Sequence, residues 1–107
     1  MQATGRIPAE PMTEQQVSRT VVVTNPQGLH ARPADLFVKT AVQFESQIEV
    51  IKDGERVDGK SILAILTLAA VAGTQLQIVA TGPDADAALG ALVELIAQNF
   101  AENEITE

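Results

Sequence analysis

The chain carries a single histidine, His30, inside the run Gly28-Leu29-His30-Ala31-Arg32-Pro33-Ala34. An imidazole with a guanidinium two residues on suits phosphoryl chemistry. An uncharged imidazole has a nitrogen lone pair that can attack phosphorus, and an arginine can chelate phosphoryl oxygens. From His30 to Phe44 the apolar residues Ala34, Phe37, Val38, Ala41 and Phe44 recur at three- and four-residue steps, which predicts a helix with one buried face. Pro33 falls in its first turn, where a missing N–H costs nothing. His30 and Arg32 therefore stand where unpaired N–H groups and the positive dipole end attract a phosphate-sized anion. A histidine at a helix end also serves as a plain capping or solvated residue. The adjacent anion cradle sets His30 apart.

Other chemistries find less support. Asp84 and Asp86 fall at a helix start, where negative charge complements the dipole, and Glu102, Glu104 and Glu107 form a solvated tail. With no Cys and one His there is no thiolate nucleophile, disulfide framework or zinc ligand set, and Gly82 to Gly90 has no phosphate-loop pattern. No metal is expected. The net charge of −7 repels phosphate backbones, and three Phe without Trp or Tyr supply no base-stacking platform, so nucleic acid is not an expected partner. All 7 Lys and Arg lie between Met1 and Lys60, which confines any anion-handling site to that part. No apolar run reaches the about 18 residues of a membrane span. The first residues lack the apolar stretch of a secretory signal. The expected location is the cytoplasm.

The elements that must position His30 follow from periodicity. Residues 1–17 read as a flexible tail with Pro8 and Pro11, and 18–107 as one domain ending in a frayed acidic segment from Ala101. Strands are expected over Arg19–Thr24, Gln47–Lys52, Glu55–Asp58 and Gln75–Thr81, with Asp53-Gly54 as a hairpin turn. A second helix starts at the N-cap Ser61, carries Ile62, Ile65, Leu66 and Ala69 on one face, and closes at Gly73. Asp84 caps a third, with Ala85, Ala88, Leu89, Leu92 and Ile96 buried. The order β-α-β-β-α-β-α, with half-buried strands, implies an α+β fold. Its expected form is an open-faced two-layer sandwich, a four-stranded antiparallel sheet covered on one face by three helices.

The run around His30 resembles the active-site signature of HPr, the histidine-containing phosphocarrier family of the bacterial phosphoenolpyruvate-dependent phosphotransferase system. Further matching pieces are Phe37-Val38-Lys39, Gly59-Lys60-Ser61-Ile62 and Gly73-Thr74, in the same order over Arg19 to Phe100. The resemblance implies that His30 accepts a phosphoryl group on Nδ1 from phosphorylated enzyme I, ultimately from phosphoenolpyruvate. It would then donate the group to a IIA-type domain, for sugar uptake or regulation. Arg32 would hold the phosphate, and no cofactor would be needed. Such a protein would be a carrier within a relay rather than a free-standing enzyme, and a monomer is the default expectation.

The resemblance also marks Ser61 as a site for an HPr kinase/phosphorylase, and Lys39, Ile62 and Leu63 as docking residues. Leu63 lies off the apolar stripe, so a core filler and an exposed docking residue are both open readings. Val42 and Ala64 stand where the family often has basic residues, which shifts docking from electrostatic steering towards apolar contact. A regulatory binding module acting through Ile62 and Leu63, with Ser61 as switch, is the alternative from another class.

Overall fold

The computed structural model describes residues 15–101. The strands are β1 (Gln15–Val22), β2 (Gln47–Lys52), β3 (Glu55–Asp58) and β4 (Gln75–Gly82). The helices are α1 (Ala31–Ala41), α2 (Ile62–Thr67) and α3 (Ala85–Ala97), followed by a 3-10 turn, Asn99–Ala101. The sheet runs β1-β4-β2-β3 with every neighbouring pair antiparallel. Helices cover one face, giving the expected open-faced sandwich. Ile48, Val50, Leu76, Ile78 and Ala80 project from alternate sheet positions into a core that α1 meets with Ala34, Phe37 and Ala41. The five residues expected to be buried on α3 all are. Asp53 and Gly54 both take positive φ, +51° and +84°, as a type I′ hairpin turn requires.

Several boundaries differ from expectation. Strand β1 starts at Gln15, taking Gln15, Gln16 and Val17 from the expected tail, because they pair with Gly82, Thr81 and Ala80. An edge strand stays polar on its solvent side, so its first half shows little alternation. The rest of the expected tail lies outside the described residues. At its other end β1 stops at Val22, and Thr24 instead hydrogen-bonds Asn99 through its hydroxyl. Helix α1 ends at Ala41 rather than Phe44. Helix α2 ends at Thr67, well before Gly73, with Ala69 in the left-handed region at φ +51° in the place expected for the glycine. Tertiary bonds draw the following loop away from the helix: Leu29 N–H donates to the Ala70 carbonyl at 2.8 Å and Gly73 N–H to the Val23 carbonyl at 2.7 Å. The frayed segment is expected from Ala101, but Ala101 closes the 3-10 turn that follows α3 and holds the fully buried Phe100; residues 102–107 lie outside the described residues.

Asp84 occupies the N-cap position of α3 but makes no side-chain capping bond. Its carboxylate instead accepts from the Glu45 and Ser46 N–H groups, each at 2.9 Å, and from the Ser46 hydroxyl. It thereby ties the α1–β2 connection to the β4–α3 connection, 38 residues away. The Ser46 hydroxyl, then the Glu45 N–H, hold the Asp84 carboxyl below the usual carboxylate range. A carboxyl whose folded value is depressed contributes stability that is complete above its unfolded value, about 4. That contribution is lost as pH falls through the folded value. Asp84→Asn should therefore unfold at lower urea than the parent at pH 6, with the gap closing below about pH 4. Parallel urea midpoints from pH 7 to pH 2 check this, and a gap that stays constant would show that the charge of Asp84 is immaterial.

Candidate phosphoryl-acceptor site

The loop before α1 is built from short-range and cross-chain bonds. Gly28 N–H donates to the Asn25 carbonyl at 3.0 Å, and the Asn25 Nδ2 donates back to the Gly28 carbonyl at 2.6 Å. That carbonyl also accepts from the His30 N–H at 3.0 Å. Gly28 itself sits at φ +71°, and a Cβ there would lie 2.4 Å from the Ala70 carbonyl oxygen, so both conformation and close approach demand glycine. Leu29 is buried and bonded to Ala70 through its N–H. With Leu29 inserted into the core, the next residue emerges at the surface. Residue His30 is half-buried.

His30 is the N-cap of α1, with extended backbone angles of −84° and −166°, and its carbonyl accepts the first helical bond from Ala34 N–H at 3.0 Å. Its side chain does not make the capping hydrogen bond. The N–H groups of Ala31 and Arg32, the first two helical residues, point out of the helix start, whereas Pro33 has none. Arg32 is exposed on that first turn, and among the described residues its side chain enters no ion pair or hydrogen bond. His30 and Arg32 thus stand at the cap and in the first turn of α1.

The other expected site residues distribute as follows. Ser61 caps α2, its Oγ accepting from Ala64 N–H at 3.1 Å. Ile62 is 38% and Leu63 72% exposed, so Leu63 is no core filler. Lys39 is exposed and ion-paired with Asp35, one turn earlier, at 3.2 Å, which offsets the one basic charge flanking the site on α1. Val42, at the end of the same helix, is 54% exposed. Contacts between α1 and α2 bring these two helices together. Asn25, in the loop before α1, does not stand out in the sequence. Its signal, an asparagine at a turn, is too common to single out without knowing that it is buried. Among the described residues no group of three or more His, Cys, Asp or Glu is placed to hold a metal ion, and no helix is long and apolar enough to cross a membrane.

Comparison with known proteins agrees with this geometry. Residues 17–98 match the family described as the PTS HPr component phosphorylation site. The phosphocarrier protein HPr of Treponema pallidum is 44% identical over 86 residues, 80% of this chain and 98% of that protein. The Pseudomonas aeruginosa phosphocarrier protein HPr is 46% identical over 85 residues, covering 78% and 94%. Among solved structures, HPr-C-His from Thermoanaerobacter tengcongensis superposes with a TM-score of 0.78 at 45% identity, over 79% of this chain and 96% of that one. An imidazole at a helix start beside a guanidinium, on this sheet order and with these relatives, has one reading: the chain belongs to the HPr family of phosphocarrier proteins of the phosphotransferase system.

Proposed function

We propose that His30 is the phosphoryl acceptor, taking the group from phosphorylated enzyme I and passing it to a IIA-type domain. The observation that carries this reading is the position of half-buried His30 at the N-cap of α1, with Arg32 exposed on the first turn of the same helix. In the forward step the Nδ1 lone pair attacks phosphorus, an N–P bond forms, and the bond to the donor breaks with its electron pair returning to the donor. The proton of the ring stays on Nε2. Arg32 and the N–H groups of the first turn meet the phosphoryl oxygens. Donors on an exposed surface hold the group moderately, which suits a carrier that must give it up again.

The partners approach over the surface that joins α1 and α2. Ile62 and Leu63 supply apolar contact, while Lys39, already paired with Asp35, adds little net charge. Leu63→Ser should raise the KM for enzyme I about tenfold, a loss of roughly 1.4 kcal/mol of binding. Stability should stay within about 0.5 kcal/mol, as expected at an exposed position. Steady-state transfer kinetics with urea unfolding check both, and an unchanged KM would remove Leu63 from the interface. Ser61 is a regulatory site for an HPr kinase/phosphorylase. A phosphate on its Oγ would add charge beside the docking residues at a helix start that tolerates it. The working form is a monomer in the cytoplasm, where phosphoenolpyruvate is made.

The decisive experiment incubates the chain with phosphoenolpyruvate and enzyme I and reads intact mass. One added phosphoryl group, lost on mild acid treatment and transferred on addition of a IIA-type domain, is the expected result. An acid-stable adduct or no adduct would overturn the reading.

A further inference from the structure

Asn25 and Ser46 are the two polar residues buried among those described, each 1% exposed. Ser46 is accounted for by its bonds to Asp84. Asn25 is not accounted for by stability. Its Oδ1 is buried with no hydrogen-bond partner, which costs stability. A plain turn needs no such burial, since Asx turns form readily at the surface. The other end of the same amide, Nδ2, donates to the Gly28 carbonyl at 2.6 Å, and the same carbonyl receives the His30 N–H at 3.0 Å. One oxygen therefore links the buried carboxamide to the backbone of the half-buried histidine.

We propose that Asn25 is a positioning residue for phosphoryl acceptance, its carboxamide clamping the Gly28 carbonyl and thereby fixing the direction in which His30 presents its ring. The inference rests on His30 being the acceptor. Asn25 touches no reacting atom. It holds the loop in a conformation that the backbone alone, with Pro26 and Gln27 exposed and one Gly28-to-Asn25 bond, would hold loosely. A displacement of about 1 Å at a reacting centre is enough to slow transfer on the order of a hundredfold.

The test compares Asn25→Ala and Asn25→Asp with the parent and with Ser46→Ala as a destabilised control remote from the loop. Aspartate is as good a turn former as asparagine but has no N–H donor. Because the chain has one histidine, its ring resonances are unambiguous by NMR. Both Asn25 variants should shift those resonances and lower kcat for phosphoryl acceptance ten- to hundredfold, with KM within about twofold. Ser46→Ala should leave both readouts unaltered. Parental behaviour of Asn25→Asp in both readouts would reduce Asn25 to a turn former and overturn the proposal. Should the variants fail to fold, the parent still decides. Slow hydrogen exchange at the Asn25 Nδ2 protons supports the clamp, and exchange as fast as that of an exposed glutamine refutes it. If the parent accepts no phosphoryl group, the acceptor reading fails, while the ring resonances still report whether Asn25 governs His30.

Discussion

Replacing His30 with alanine is expected to abolish phosphorylation while leaving the fold intact. The chain has no second histidine and no cysteine, so no other nucleophile of comparable kind can take the group. The backbone duties of residue 30, donating to Gly28 and accepting from Ala34, survive in alanine. The side chain does not cap the helix, and stability should change by no more than about 1 kcal/mol. Intact mass after incubation with phosphoenolpyruvate and enzyme I should show no acid-labile adduct, alongside a far-ultraviolet circular dichroism spectrum like that of the parent. Arg32→Ala is the graded counterpart: the acceptor remains but its guanidinium is gone, and transfer should slow on the order of a hundredfold. Acid-labile phosphate in the His30→Ala protein would move the acceptor elsewhere.

Gly28→Ala is expected to be the most damaging change in the loop, costing about 2–4 kcal/mol of stability and most of the transfer rate. Two effects add. Alanine at φ +71° is in the left-handed region, which costs about 1–2 kcal/mol. Its Cβ would also stand 2.4 Å from the Ala70 carbonyl oxygen and 2.8 Å from the Val71 Cα, both backbone atoms that cannot rotate aside. Relief requires separating the two loops and breaking the Leu29-to-Ala70 bond that seats His30. Gly54→Ala isolates the first effect, since Gly54 has φ +84° with open space around it. That variant should lose only about 1 kcal/mol and transfer at the parental rate. Urea unfolding of both proteins checks the difference, and equal losses would mean that the contact with Ala70 yields easily.

These two residues show what the sequence made legible. The run around His30 could be placed because its signal is local: imidazole, guanidinium and helix start lie within three consecutive positions, and periodicity places the helix. The buried stripe of α3 and the β2–β3 hairpin were equally plain, because each is set by residues a turn or two apart. What escaped reading is set by distant partners. The stretch after Thr67, Leu-Ala-Ala-Val-Ala-Gly, has helix-forming composition and no stop before the glycine, yet bonds to Leu29 and Val23 end the helix early. Asp84 read as a cap, because its neighbours in sequence suggest nothing else, while its bonds run to Glu45 and Ser46. Asn25 and Phe100 owe their importance to burial, which a turn asparagine and a lone phenylalanine near an acidic tail do not announce.

The strand order also governs how the chain can fold as it is made. β4 lies between β1 and β2, so the first and second strands have no sheet neighbour in common until residues 75–82 exist. The core is sealed still later, by Phe100. A ribosome releasing this chain from its first residue onward therefore exposes Phe37, Ile48 and Val50 for most of synthesis. The β2–β3 hairpin can form early, but a lone hairpin is marginal in water. Acquisition of structure should be late and abrupt, governed by pairing between distant segments, and the nascent protein is a natural client for chaperones at the tunnel exit.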